Sequence, residues 1–297
     1  MTTGSPIQRV PAETRDTPTS IYVAPTLAAA LDALSEYGVA GAPFAGGTWI
    51  MRSPIRHERM KAHYVAIGRI AELTTVRIGT DAVEIGAAVT HAALAAALAD
   101  LPEFAVLANA AGCSANPAIR AMATIGGNLA TSEFAAADCV PAMLCLGADV
   151  EVAGRDGRER ISLAEFLKLR SSLAPGRLVT RIILPRAERR TAHARLPLRS
   201  AGDYPVAIVS LAVNVGATGR VQTARVAVGS VEPIARRWER LEAALAGRPI
   251  DAMDAMRAAA RLADEFAGRD GVDAPAWYRV SVLPGLIRRA VIAALGS

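Results

Sequence analysis

An α+β fold built in more than one unit is what the sequence predicts. Three observations carry that expectation. The chain has 297 residues, against about 100–200 for one domain. Strand and helix patterns follow one another without regular βαβ alternation. After Pro185 the pattern changes, and the charged stretch 186–190 marks a boundary. A hydrophobic content of 52% fills real cores, and with 4% aromatics those cores are made of Ala, Val, Leu and Ile.

Residues 27–37 place apolar side chains at helical spacing and stop at Gly38, a natural C-cap. A short extended run, 42–45, leads into the pair Gly46-Gly47. Strands are expected over 64–67 and over 83–87, the second with alternating polarity. Helices over 90–99 and 103–111 follow, then Pro117 and a loop around a second pair, Gly126-Gly127. Residues 136–146 read as an apolar helix, and 149–153 as a strand turning at 154–157. Beyond Pro185, strands over 205–215 and 221–229 pair across a turn at 216–219. Helices over 236–246, 251–267 and 286–295 complete the pattern.

The first 20 residues are polar and rich in Pro and Thr, as expected of a tail. They lack the basic-then-apolar succession of a secretory signal. No run approaches the roughly 18 apolar residues of a membrane span. A cytoplasmic location is expected. The net charge of +5 is almost all arginine, with Lys61 and Lys168 the only lysines. These arginines are interleaved with acids, as in 155–160, rather than clustered with aromatics, which argues against nucleic-acid binding. Cys113, Cys139 and Cys145 are too few, and wrongly spaced, for an iron–sulfur cluster or a zinc site. They are expected to be free thiols.

The two glycine pairs lie about eighty residues apart, each running into a polar side chain. A Gly-Gly step permits positive φ and close approach of backbone N–H groups, and successive inward N–H groups form an anion nest. Two such segments suit a ligand with more than one phosphate. The stretch 41–48 fits a P-loop except that Gly47 stands where lysine is required, which excludes an NTPase. No G-x-G-x-x-G opens a helix and no G-x-S-x-G elbow is present. His57, His63, His91 and His193 lack a metal-binding pattern.

Several blocks then occur in a telling order. Ala45-Gly46-Gly47-Thr48 precedes Ile50-Met51, and the run 85–91 ends in Thr90-His91. Ile119-Arg120 leads into Thr124-Ile125-Gly126-Gly127-Asn128-Leu129-Ala130, and Ala136-Ala137-Asp138 enters the apolar run 141–146. Arg199 with Gly202-Asp203-Tyr204, then Tyr278-Arg279, close the series. From about residue 21 to 295 this order resembles the FAD-binding medium subunit of molybdenum hydroxylases, the xanthine, carbon monoxide and nicotinate dehydrogenase group. The chain departs from the family's pattern at Trp49, Ala121 and Glu133-Phe134.

The resemblance implies a two-part PCMH-type FAD-binding domain followed by an α+β C-terminal domain with a three-stranded sheet and helices. The implied units are a tail over 1–20, FAD-binding subdomains over 21–75 and 76–188, and a C-terminal domain over 189–297. It implies FAD as cofactor. Phe44, Ala45, Gly46, Gly47, Thr48 and Trp49 would meet its pyrophosphate, with Thr124, Ile125, Gly127 and Asn128 on the other side. Thr90, Ala110 and Ala111 would line the channel. Asp138 would orient the second loop or meet the ribityl chain, and Val179 would pack on the isoalloxazine. Arg195, Asp203 and Tyr204 would reach the ring from the C-terminal domain. Each role has a plainer rival: Thr48 and Thr124 as turn caps, Asp138 as a helix N-cap, Arg195 as a solvated charge, Tyr204 as core.

The implied function is electron transfer within an oxidoreductase complex. Its partners would be a [2Fe-2S] small subunit, a molybdenum-cofactor large subunit and an external electron acceptor. No catalytic side chain and no metal is assigned to this chain. Two other readings stay open at this point: a self-contained flavin oxidase of the vanillyl-alcohol-oxidase type, and a scaffold that has lost its flavin.

Overall fold

The computed structural model describes residues 19–198 and 204–296. Most of the expected tail, together with Arg199, Gly202 and Asp203, lies outside the described residues.

Three sheets succeed one another along the chain. The first is parallel. It contains β1 (Ser20–Val23), β2 (Gly41–Phe44) and β3 (His63–Ala66) in the order β1-β3-β2, with α1 (Leu27–Tyr37) between β1 and β2. The Thr26 hydroxyl caps α1 by accepting from Ala29 N–H at 3.2 Å, and Gly38 ends it at φ +53°. The helix buries Leu27, Ala30, Leu31 and Leu34 against Val65, Ile67 and Leu73.

The second sheet is antiparallel, in the order β4-β5-β8-β6-β7. Its strands are β4 (Val76–Ile78), β5 (Ala82–Gly86), β6 (Asp149–Gly154), β7 (Gly157–Ser162) and β8 (Leu178–Pro185). Between β5 and β6 run α2 (His91–Ala97), α3 (Ala105–Cys113), α4 (Pro117–Met122), α5 (Ile125–Ala130) and α6 (Cys139–Leu146). A further helix, α7 (Leu163–Leu169), follows β7. Every residue of α6 is buried, because the helix lies between this unit and the third sheet.

The third sheet is antiparallel too, in the order β12-β11-β10-β9. β9 (Arg190–Pro197), β10 (Pro205–Val215) and β11 (Val221–Gly229) are its long strands, and β12 (Arg236–Arg237) is a two-residue edge. α8 (Glu239–Leu245) and α11 (Leu283–Gly296) bury one apolar face against it, and α9 (Ala252–Leu262) packs on α11 and α8, with α10 (Ala276–Ser281) leading into α11. α3 and α6 press on the other face, so β10 is buried along nine successive residues. That two-sided burial explains its unbroken apolar run.

The α+β expectation holds, with three long strands in the C-terminal sheet extended by β12. The second glycine pair differs from expectation: it sits in the first turn of α5, not in a loop. The helix expected over 136–146 begins at Cys139. The charged run 155–160 proves largely to be the edge strand β7. There Arg160 reaches Asp149 at 2.8 Å and Arg158 reaches Glu151 at 3.2 Å, the charged edge that resists intermolecular pairing.

Candidate functional site: a cleft between two glycine-bearing segments

A cavity of about 740 Å³ lies where β2, α5, β8 and the start of β10 converge. Small-molecule and cofactor sites span roughly 300–1,000 Å³. The first wall is the loop from Ala45 to Trp49, which leaves β2 and enters a 3-10 turn over Ile50–Arg56. Gly47 takes φ +69°, and a Cβ there would stand 2.6 Å from the Phe44 ring. The Gly47 carbonyl accepts from Met51 and the Trp49 carbonyl accepts from Arg52 and Arg56. The N–H groups of Gly46, Gly47, Thr48 and Trp49 have no acceptor among the described residues. Four consecutive unspent donors beside a positive-φ glycine make a nest for an anion.

The opposite wall is built differently. Asn116 caps α4, accepting from Ile119 N–H at 3.0 Å, and Thr124 caps α5, accepting from Gly127 N–H at 3.2 Å. The N–H groups of Ile125 and Gly126 donate to the carbonyls of Val89 and Ala87 at 2.9 and 2.8 Å. A Cβ on Gly126 would come within 2.7 Å of Ala87, so this glycine serves packing. The donors of this second segment are therefore spent within the protein. It offers the cleft side-chain atoms instead: the Thr124 hydroxyl and the Asn128 amide, whose Oδ1 is buried without a partner. The two walls meet directly, since a Cβ on Gly46 would lie 1.8 Å from the Met122 carbonyl oxygen.

Leu178 and Val179 of β8 add an apolar side, with Arg177 beside them. An aromatic row crosses the cleft: Trp49 and Tyr204 each lie 5.0 Å from Phe134, ring to ring. The Arg56 guanidinium sits 3.9 Å over Trp49, a cation–π contact. Arg52 donates to the Tyr204 hydroxyl at 2.9 Å. Asp138 borders the cleft at 1% exposure. It occupies the N-cap position of α6 yet makes no cap hydrogen bond. Its Oδ1 accepts from Arg195 Nε at 2.9 Å, with His193 Nε2 at 3.4 Å. The rival expectations of a helix cap and of a merely solvated Arg195 both give way to this buried pair.

Comparison with known proteins assigns the family. Residues 16–187 match the family described as the FAD binding domain in molybdopterin dehydrogenase. The chain belongs to that family. Residues 193–294 of this molybdopterin-dehydrogenase-type chain match the CO dehydrogenase flavoprotein C-terminal domain. The carbon monoxide dehydrogenase medium chain of Afipia carboxidovorans is 30% identical over 276 residues, 90% of this chain and 93% of that one. Subunit alpha of the 6-hydroxypseudooxynicotine dehydrogenase complex of Paenarthrobacter nicotinovorans is 28% identical over 278 residues, 92% and 93% of the two chains. The solved structure of reconstituted CO dehydrogenase from Oligotropha carboxidovorans superposes with a TM-score of 0.84 at 27% identity, covering 97% of this chain and 99% of that one.

The cleft of this FAD-binding family member has what a dinucleotide demands. Its first wall holds free backbone donors suited to an anion, and its second wall holds unmatched side-chain atoms. Of the residues expected at the site, Ala45, Gly46, Gly47, Thr48, Trp49, Thr124, Gly127, Asn128, Asp138, Val179 and Tyr204 border the cleft. Others do not. Phe44 lies beneath Gly47 and Thr90 caps α2. Ala110, Ala111 and Ile125 are fully buried core. Arg195 stands behind Asp138, and Asp203 is outside the described residues. Sequence reasoning passed over His91, Ser114, Asn116, Phe134 and Arg177, which do border it. Only Asn116 carried a local signal, as an N-cap residue followed by Pro117.

Proposed function

We propose that this chain is the FAD-binding electron-transfer subunit of a multi-subunit molybdenum-containing dehydrogenase. The observation that carries this reading is the row of unspent N–H groups from Gly46 to Trp49. Their residues line the same cleft as Thr124 and Asn128, and it is large enough for a cofactor. The first loop holds the pyrophosphate through those donors and the Thr48 hydroxyl, and the Thr124 O–H and the Asn128 Nδ2–H2 donate to it from the other side. Leu178 and Val179 exclude water along the apolar side, while Trp49, Phe134 and Tyr204 wall the cleft. Asp138, held by Arg195 and His193, keeps a negative charge at a set position. When bound, FAD supplies the redox chemistry between a [2Fe-2S] partner and an external acceptor.

Residues 21–75 and 76–188 act as the two FAD-binding subdomains and 189–297 as the C-terminal domain, after a tail over 1–20. A chain with three cysteines has too few thiolates for the cluster, so the small subunit carries it and a large subunit carries molybdenum. The relatives' names, a medium chain and a subunit of a complex, favour this over a self-contained flavin oxidase. No helix among the described residues is long and apolar enough to cross a membrane, and we assign the complex to the cytoplasm.

The chain purified alone is expected to bind one FAD, read from its absorption spectrum. That flavin should be reduced by substrate only when the partner chains are added. Failure to bind FAD, or substrate-driven reduction of the isolated chain, would overturn the proposal.

A further inference from the structure

His91 opens α2 beside Thr90, is 3% exposed, and borders the cleft. Its Nδ1 lies 2.7 Å from Ser114 Oγ. The Ser114 hydroxyl donates to the Ala111 carbonyl at 3.1 Å, which leaves the Ser114 oxygen to accept. With that hydroxyl engaged on Ala111, the arrangement favours the tautomer with the ring proton on Nδ1 and the lone pair on Nε2. That Nε2 is buried and has no hydrogen-bond partner, an exception among buried polar atoms that calls for a reason.

The charge state narrows the reason. Burial pushes the imidazole down to about 4, against the pull of Asp138 and of the Thr124 backbone and with a smaller push from Arg120. At neutral pH the ring is uncharged and offers no attraction to a phosphate. An uncharged acceptor needs an N–H or O–H donor. FAD carries such donors on both halves: ribose hydroxyls and the adenine amine on one, ribityl hydroxyls and the ring imide on the other.

We infer that His91 is a cofactor-binding residue whose Nε2 accepts a hydrogen bond from an uncharged donor of FAD, with Ser114 fixing the tautomer that makes it an acceptor. This rests on the FAD reading of the cleft. The full chain is titrated with FAD by fluorescence, as wild type, His91→Phe, His91→Gln and Ser114→Ala. Phenylalanine removes the acceptor, and the expected loss of affinity is about tenfold. Glutamine restores a carbonyl acceptor and should stay within about threefold of wild type. Ser114→Ala should fall between them. Repeating the titration with AMP and with FMN shows which half supplies the donor, since only that fragment should weaken in His91→Phe. Inorganic pyrophosphate should bind all four proteins alike.

Nitrogen-15 NMR of labelled histidine gives a readout free of folding effects. Wild-type His91 should show a protonated Nδ1 and a bare Nε2 whose resonance shifts when FAD is added. A wild type that binds no FAD defeats the functional reading. A wild type that binds FAD defeats the His91 inference if folded His91→Phe binds equally well, if His91→Gln is as weak as His91→Phe, or if the Nε2 resonance does not respond.

Discussion

Replacing Gly46 by alanine tests the clamp at its narrowest point. A Cβ at residue 46 would stand 1.8 Å from the Met122 carbonyl oxygen and 2.7 Å from its carbon, where a comfortable C···O contact needs about 3.3 Å. Backbone opposes backbone here, so no side-chain rotation relieves the overlap. The first loop must withdraw by about 1.5 Å. Hydrogen bonds weaken steeply beyond roughly 3.2 Å, so the donors at 46–49 can no longer act on an anion also held by Thr124. Two charge-assisted hydrogen bonds lost at about 1.5–3 kcal/mol each weaken FAD by about 10²–10⁴-fold. Titration of FAD into apo-protein, with circular dichroism as a folding check, measures this. Gly112→Ala in α3 is the control, because its Cβ would meet only the Ala95 Cβ at 3.8 Å. It should raise stability by about 0.5–1 kcal/mol and leave FAD binding alone. A folded Gly46→Ala protein that keeps FAD within threefold of wild type would show that this backbone approach does not govern FAD binding.

Other perturbations test the surroundings of the cleft. His91 titrates near 4 in the fold and near 6.5 unfolded, so the unfolded chain takes up its proton first as pH falls. The contribution is intact above about pH 6.5 and is lost as pH drops toward 4, by about 3 kcal/mol in total. Urea unfolding at pH 7 and pH 5 should show less pH dependence in His91→Gln, and an equal dependence would exclude the assignment. Asp138→Asn removes a buried carboxylate from Arg195 and His193 and is expected to cost about 2–4 kcal/mol, seen in thermal unfolding. Arg279 is fully buried, donating to the Arg269 and Val206 carbonyls at 3.0 and 2.8 Å and pairing with Asp273 at 2.8 Å. Arg279→Met should destabilise the C-terminal unit by about 3 kcal/mol, and a midpoint shift near zero would count against that role.

What could be foreseen from the chain, and what could not, divides along the two walls of the cleft. The first loop was legible because its chemistry is local: two glycines, one at φ +69°, expose consecutive N–H groups whatever the rest of the chain does. The second pair invited the same interpretation, yet the Gly126 N–H is taken by Ala87, some forty residues earlier, and the Gly127 N–H by the Thr124 hydroxyl. No local pattern announces that pairing, and it converts a supposed loop into the first turn of a helix. Asp138 shows the same limit. Its position before an apolar helix suggested a cap, and a partner 57 residues downstream decides its role instead. His91 was set aside for want of a metal-binding pattern, and only Ser114, 23 residues on, makes its free nitrogen meaningful. The clamp is therefore asymmetric in kind: main-chain donors on one wall, side-chain hydroxyl and amide groups on the other. Side-chain changes such as Thr48→Ala should then cost FAD affinity less than the backbone change at Gly46. On the opposite wall, Asn128→Ala should cost more than an added methyl at Gly127, where a Cβ would approach only the Thr124 hydroxyl, at 3.0 Å.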